Sequence, residues 1–75
     1  MKGAHTAVPE RLANRLKERR AELGLTQAEL AERVGVTRKT VNTVENGVFT
    51  PSATLAIKLA AALKVSVEQL FWIER

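Results

Sequence analysis

Cysteine is absent from the 75 residues, so neither a disulfide frame nor a thiolate metal site is available. Histidine occurs once, as His5, and one imidazole cannot build a zinc or catalytic cluster alone. No glycine-rich phosphate loop is present, and nothing pairs a nucleophile with a base. These absences argue against an enzyme and imply no metal and no cofactor. No apolar run approaches the ~18–20 residues needed to cross a bilayer, and MKGAHTAVPE at the start has no signal-like apolar core. The chain is expected to work in the cytoplasm, away from membranes. There is also no room for a dedicated effector domain, so no small-molecule effector is expected.

What is present fits one small folded domain. Hydrophobic residues make up 45% and charged residues 27%, ordinary for a chain that folds and unlike a disordered tail. A domain of this size buries only ~60% of its unfolded surface, so a partner chain would add to a modest core. Twelve Lys and Arg against eight Asp and Glu leave a net charge of +4 and a pI near 10.1. That balance favours a polyanionic partner.

Residues 1–8 show no period and are read as an N-terminal arm, or as an edge strand if a partner supplies the other half. From Pro9, which suits a first helical turn, residues 9–75 form the domain. Leu12, Leu16 and Leu23 trace a helical stripe, with Arg11, Arg15, Lys17 and Arg19 on a solvated face beside Glu18 and Glu22. Gly24, Gly35 and Gly47 each follow a helical segment, where a C-terminal glycine belongs. Thr26 with Glu29, and Ser66 with Gln69, match the capping box. Thr37 and Ser52 read as N-caps. The expected helices are 9–23, 27–34, 38–46, 53–63 and 67–72, an all-α bundle of five helices with no hairpin signal between them.

The centre of this plan is QAELAERVGVTRKTVNTVE, residues 27–45. Leu30, Ala31 and Val34 stripe one helix, and Val41 and Val44 stripe the next. Gly35 between them is free to take the left-handed conformation, and Ala31 is small enough for two helices to cross closely. The outward face of the second helix is then polar and basic, with no acidic residue between 37 and 44. This pattern predicts a helix-turn-helix at the second and third helices, with the third lying in the major groove of DNA.

Two charges fall on inward stripes instead. Arg20 lies between Leu16 and Leu23, and Glu45 follows Val41 by one turn. A charge near a core needs a partner there, so Arg20 and Glu45 are predicted to form a structural ion pair. In helix four, Leu55, Leu59, Ala62 and Leu63 face the core. At the C-terminal end Val67, Leu70, Phe71, Trp72 and Ile73 are more apolar surface than the bundle needs, and are expected to form a dimer interface.

On the residues LGLTQAELAERVGV at 23–36, TRKTVNTVENG at 37–47, PS at 51–52 and LAAALKVSVEQLF at 59–71, the chain resembles the small lambda-repressor-like (Xre, Cro/cI-type) helix-turn-helix regulators. The resemblance implies a five-helix domain acting as a homodimer on an operator of double-stranded DNA with two-fold symmetry. It implies phosphate contact by Gln27 and Asn46. Thr37, Arg38, Lys39 and Thr43 would meet base edges or nearby backbone, and the Arg20–Glu45 pair would be buried as in phage relatives. The chain departs from the family where Val48, Phe49 and Thr50 stand in place of the basic residues often found after the recognition helix.

Side-chain chemistry suggests roles of its own. Arg38 has the fork for guanine N7 and O6, and Asn42 has the donor and acceptor for adenine N6 and N7. Lys39 suits a guanine or a phosphate, Thr43 a thymine methyl or the backbone, and Thr37 both a cap and a DNA contact. Backbone N–H groups at the starts of the second and fourth helices are placed to clamp phosphates, with Thr26, Thr50 and Ser52 joining Gln27 and Asn46 there. The expected function is a transcriptional regulator, a repressor, that binds specific DNA sequences. The rival is an antitoxin or bridging module that uses the same fold to hold a protein partner.

Overall fold

The structure, a computed structural model, describes residues 10–75. The expected arm at 1–8, with His5, and the helix start at Pro9 lie outside the described residues. In chain order the elements are β1 (Arg11–Asn14), α1 (Leu16–Glu22), α2 (Gln27–Val34), α3 (Arg38–Glu45), α4 (Ala53–Ala62), α5 (Val67–Leu70) and β2 (Phe71–Glu74). Five helices are therefore present, but the all-α expectation is corrected by a two-stranded antiparallel sheet, β1 against β2.

The correction has a physical cause at each end of the bundle. Arg11 faces Glu74, Leu12 faces Ile73, Ala13 faces Trp72 and Asn14 faces Phe71. Phe71, Trp72 and Ile73 are strong strand formers, and pairing with β1 gives their backbone hydrogen-bond partners. Helix five thus stops at Leu70 rather than 72. Helix one begins at Leu16 rather than 9 because Asn14 interrupts it. The Asn14 Oδ1 accepts from the Leu16 N–H at 2.9 Å, its Nδ2 donates to the Val44 carbonyl at 3.0 Å, and the Arg15 N–H donates to the Leu70 carbonyl at 3.1 Å. Leu12 sits four residues before Leu16, a spacing that suits a helix, yet here it is a strand residue packed beside the core.

The core is formed by Leu16, Leu25, Leu30, Ala31, Val34, Val41, Val44, Leu59, Ala60, Leu63, Leu70 and Phe71. Each fully buried leucine among them contributes about 1.5–3 kcal/mol relative to exposure. Leu55 and Ala62 are only partly buried against this cluster, and Ala60 takes the inward place on α4. Arg19, read as part of a solvated face, is half-buried. Its Nε donates to the Leu63 carbonyl at 2.8 Å, so a cation closes the C-terminus of α4, while its Nη1 meets Glu22 at 3.0 Å. Among the described residues no helix is long and apolar enough to cross a membrane.

Candidate nucleic-acid interface

The geometry of α2 and α3 follows from their ends. Thr26 caps α2 by accepting from the Glu29 N–H at 3.0 Å, and the Glu29 carboxylate accepts from the Thr26 N–H at 2.8 Å. The Thr26 backbone N–H, and after it the Thr26 hydroxyl, hold the Glu29 carboxyl below its ordinary range, with Arg33 adding a smaller pull. Gly35 ends α2 at φ 77° and ψ 33°, a left-handed conformation that a Cβ would disfavour. The Val36 N–H then returns to the Ala31 carbonyl at 3.0 Å. Thr37 opens α3, its hydroxyl accepting from the Thr40 N–H at 3.2 Å.

Val41 and Val44, 1% and 2% exposed, pin the inner side of α3. The other side presents Arg38, Lys39 and Asn42 to solvent, with Thr37 exposed at the N-terminal end. Thr43 is half-buried, and its hydroxyl donates to the Thr40 carbonyl at 2.9 Å. Asn46 is exposed just past the helix and donates to the Asn42 carbonyl at 2.8 Å.

Beneath this face lies a charged pair. Arg20 Nε donates to Glu45 Oε2 at 2.7 Å and Arg20 Nη2 to Oε1 at 3.3 Å, with the two side chains only 15% and 4% exposed. Arg20 Nη1 also donates to the Leu25 carbonyl at 2.8 Å. Desolvated charges are tolerable because their donors and acceptors are filled. The pair fastens α1 to α3. Gln27, half-buried at the start of α2, donates from Nε2 to Glu45 Oε1 at 3.0 Å and to Asn42 Oδ1 at 3.1 Å. Arg38 Nη1 stands 3.5 Å from Gln27 Oε1.

Of the remaining residues expected to meet phosphate, Ser52 caps α4 by accepting from the Leu55 N–H at 3.1 Å, and Thr50 is exposed in the loop before it. Thr26 is exposed at the start of α2. The apolar C-terminal group divides. Leu70 and Phe71, 0% and 7% exposed, close the chain's own core, and Val67 packs partly against it. Trp72 and Ile73 stay open on β2, 39% and 56% exposed. Sequence reasoning missed Asn14, whose signal was only a lone polar residue inside an apolar stripe. It also assigned Gln27 a phosphate contact with no hint of its bonds to α3.

Comparison with known proteins decides the family. A family described as helix-turn-helix matches residues 16–70. The chain belongs to it. A helix-turn-helix relative, the uncharacterized HTH-type transcriptional regulator YgzD of Bacillus subtilis, is 44% identical over 63 residues, covering 84% of this chain and 96% of that protein. Among solved structures, the restriction-modification controller protein C.AhdI from Aeromonas hydrophila superposes with TM-score 0.69 at 37% identity, covering 72% of this chain and 82% of its own. The biofilm master regulator SinR, solved in complex with DNA, superposes with TM-score 0.65 at 36% identity, covering 69% and 84%. The antitoxin HipB of Escherichia coli K12 is more distant, 34% identical over 59 residues, 79% of this chain and 67% of the antitoxin. These likenesses run through the described helices, and the Xre-like helix-turn-helix resemblance holds.

Proposed function

We propose that this helix-turn-helix protein is a repressor that acts in the cytoplasm, reading one double-stranded DNA sequence as a homodimer with α3 in the major groove. The observation that carries the reading is the outward face of α3. Arg38, Lys39 and Asn42 are exposed there, while Val41, Val44 and the Glu45–Arg20 pair hold the opposite side. A basic helix pinned on its inner side, with polar side chains exposed on the other, is the geometry that groove reading needs. Arg38 and Lys39 supply base or phosphate contact, with Thr37 and Thr43 beside them. Thr26, Gln27, Asn46, Thr50 and Ser52 are assigned to the flanking phosphates, together with N–H groups at the starts of α2 and α4.

The homodimer is assigned to β2, where Trp72 and Ile73 leave apolar surface uncovered on a sheet of only two strands. Two α3 helices then read half-sites about one turn of DNA apart, ~34 Å, so the operator carries two-fold symmetry. The test is selection of bound sequences from random duplex DNA with the purified protein, followed by titration at several salt concentrations. Enrichment of one palindromic site, with affinity that falls steeply as salt rises, is the expected result. Equal affinity for all sequences would refute specific reading.

The antitoxin reading keeps one specific support, the similarity to HipB over most of this chain. Co-purification of a stoichiometric second protein whose activity is neutralised would favour it over a free-standing regulator.

A further inference from the structure

Hydrogen-bond polarity is passed outward from the buried ion pair to the reading face. The Glu45 carboxylate, engaged by Arg20, only accepts. The Gln27 atom 3.0 Å from it is therefore the amide nitrogen, and its second hydrogen points at Asn42 Oδ1, 3.1 Å away. On the other side Asn46 Nδ2 donates to the Asn42 backbone carbonyl at 2.8 Å, which fixes that amide as well, and to the same Oδ1 at 3.1 Å. Two donors thus converge on one oxygen with two lone pairs. Asn42 Oδ1 is filled, and its Nδ2 donates to no partner among the described residues.

A bidentate contact with adenine needs one donor and one acceptor from the amide. Asn42 so held has only donors to offer. In the major groove guanine presents two acceptors, N7 and O6, whereas adenine sets its single acceptor, N7, beside the N6 donor, which opposes an amide N–H. We propose that Asn42 reads guanine rather than adenine, and that Gln27 is the positioning residue that sets this choice. Gln27 Oε1 is left facing Arg38 Nη1 at 3.5 Å, so the same amide also orients the arginine. The inference rests on the DNA-reading role of α3 proposed above and adds the base class that one of its residues recognises.

The experiment is selection from random duplex DNA with four proteins: wild type, Asn42→Ala, Gln27→Ala and the double variant Gln27→Ala/Asn46→Ala. One base pair should lose its preference in Asn42→Ala, and wild type should hold a G·C pair there over A·T by on the order of tenfold. The double variant frees Oδ1, so adenine should be admitted at that pair, with affinity for all sequences lowered because both residues also line the phosphates. Gln27→Ala alone, which removes one of the two donors, should give a smaller shift in the same direction and stands in if the double variant does not fold. Adenine selected at the Asn42-dependent pair by wild type would overturn the inference and leave DNA reading intact. So would an operator in which no base pair responds to Asn42→Ala. Failure of wild type to enrich any sequence would overturn the DNA-reading role itself, and this inference with it.

Discussion

The pair α2–α3 and the pair β1–β2 hold the same domain together by opposite means. The helices are neighbours in the chain, joined by a short turn on Gly35, and each is capped by its own threonine. They share a dry seam of Leu30, Ala31, Val34, Val41 and Val44. The strands join residues 63 positions apart, Arg11 with Glu74, and their flanks are largely open to water. The difference teaches where rigidity is placed. The pair that carries the candidate reading face is held by local, buried contacts, and the pair that closes the fold is held by sequence-distant, largely exposed ones.

The largest expected effect strikes the helical side. Arg20→Met or Glu45→Leu alone should cost about 3–5 kcal/mol, since each strands a desolvated charge. The double variant should recover most of that loss in urea unfolding. If the two single losses simply add, the coupling of α1 to α3 through this pair is wrong. Next in size are the caps. Thr26→Ala and Thr37→Ala should each cost about 1 kcal/mol, measured the same way.

The strand side should respond less. Arg11→Ala or Glu74→Ala breaks an exposed ion pair and should cost no more than about 1 kcal/mol. In native-state hydrogen exchange, the amides bonded across β1–β2 should open well before those of α2 and α3. Equal protection of both pairs would erase the contrast. The smallest effect concerns pH. The Glu29 carboxyl is held below its ordinary range by the Thr26 backbone and hydroxyl, so its contribution is present above the unfolded value and is lost as pH falls through the folded one. Glu29→Gln should therefore lower stability slightly near neutrality and leave it almost unchanged in acid, flattening the pH dependence of urea unfolding.

The same contrast explains what could be read from residues alone. The bounds of α2 and α3 came from Thr26, Glu29, Gly35 and Thr37, all within a turn of the ends they set. The stripe positions of Arg20 and Glu45 also follow from helical spacing. The sheet was invisible because no local pattern reports a partner 63 residues away, and because Leu12 at four residues before Leu16 satisfies a helix as well as a strand. Leu70 and Phe71 looked like surplus apolar surface until β2 folded Phe71 under the bundle. The Gln27 bonds to Glu45 and Asn42 depend on how α2 crosses α3, and no spacing within either helix encodes that crossing.

The strand pairing also brings the first and last described residues side by side. Arg75 Nε donates to Glu10 Oε2 at 2.8 Å, so a short glycine-serine bridge would turn the domain into a ring. Cutting that ring between Phe49 and Thr50, both exposed, would make new ends at the loop after α3. Because chain ends that lie close together tolerate such rearrangement, the permuted protein should fold with α2 and α3 unaltered.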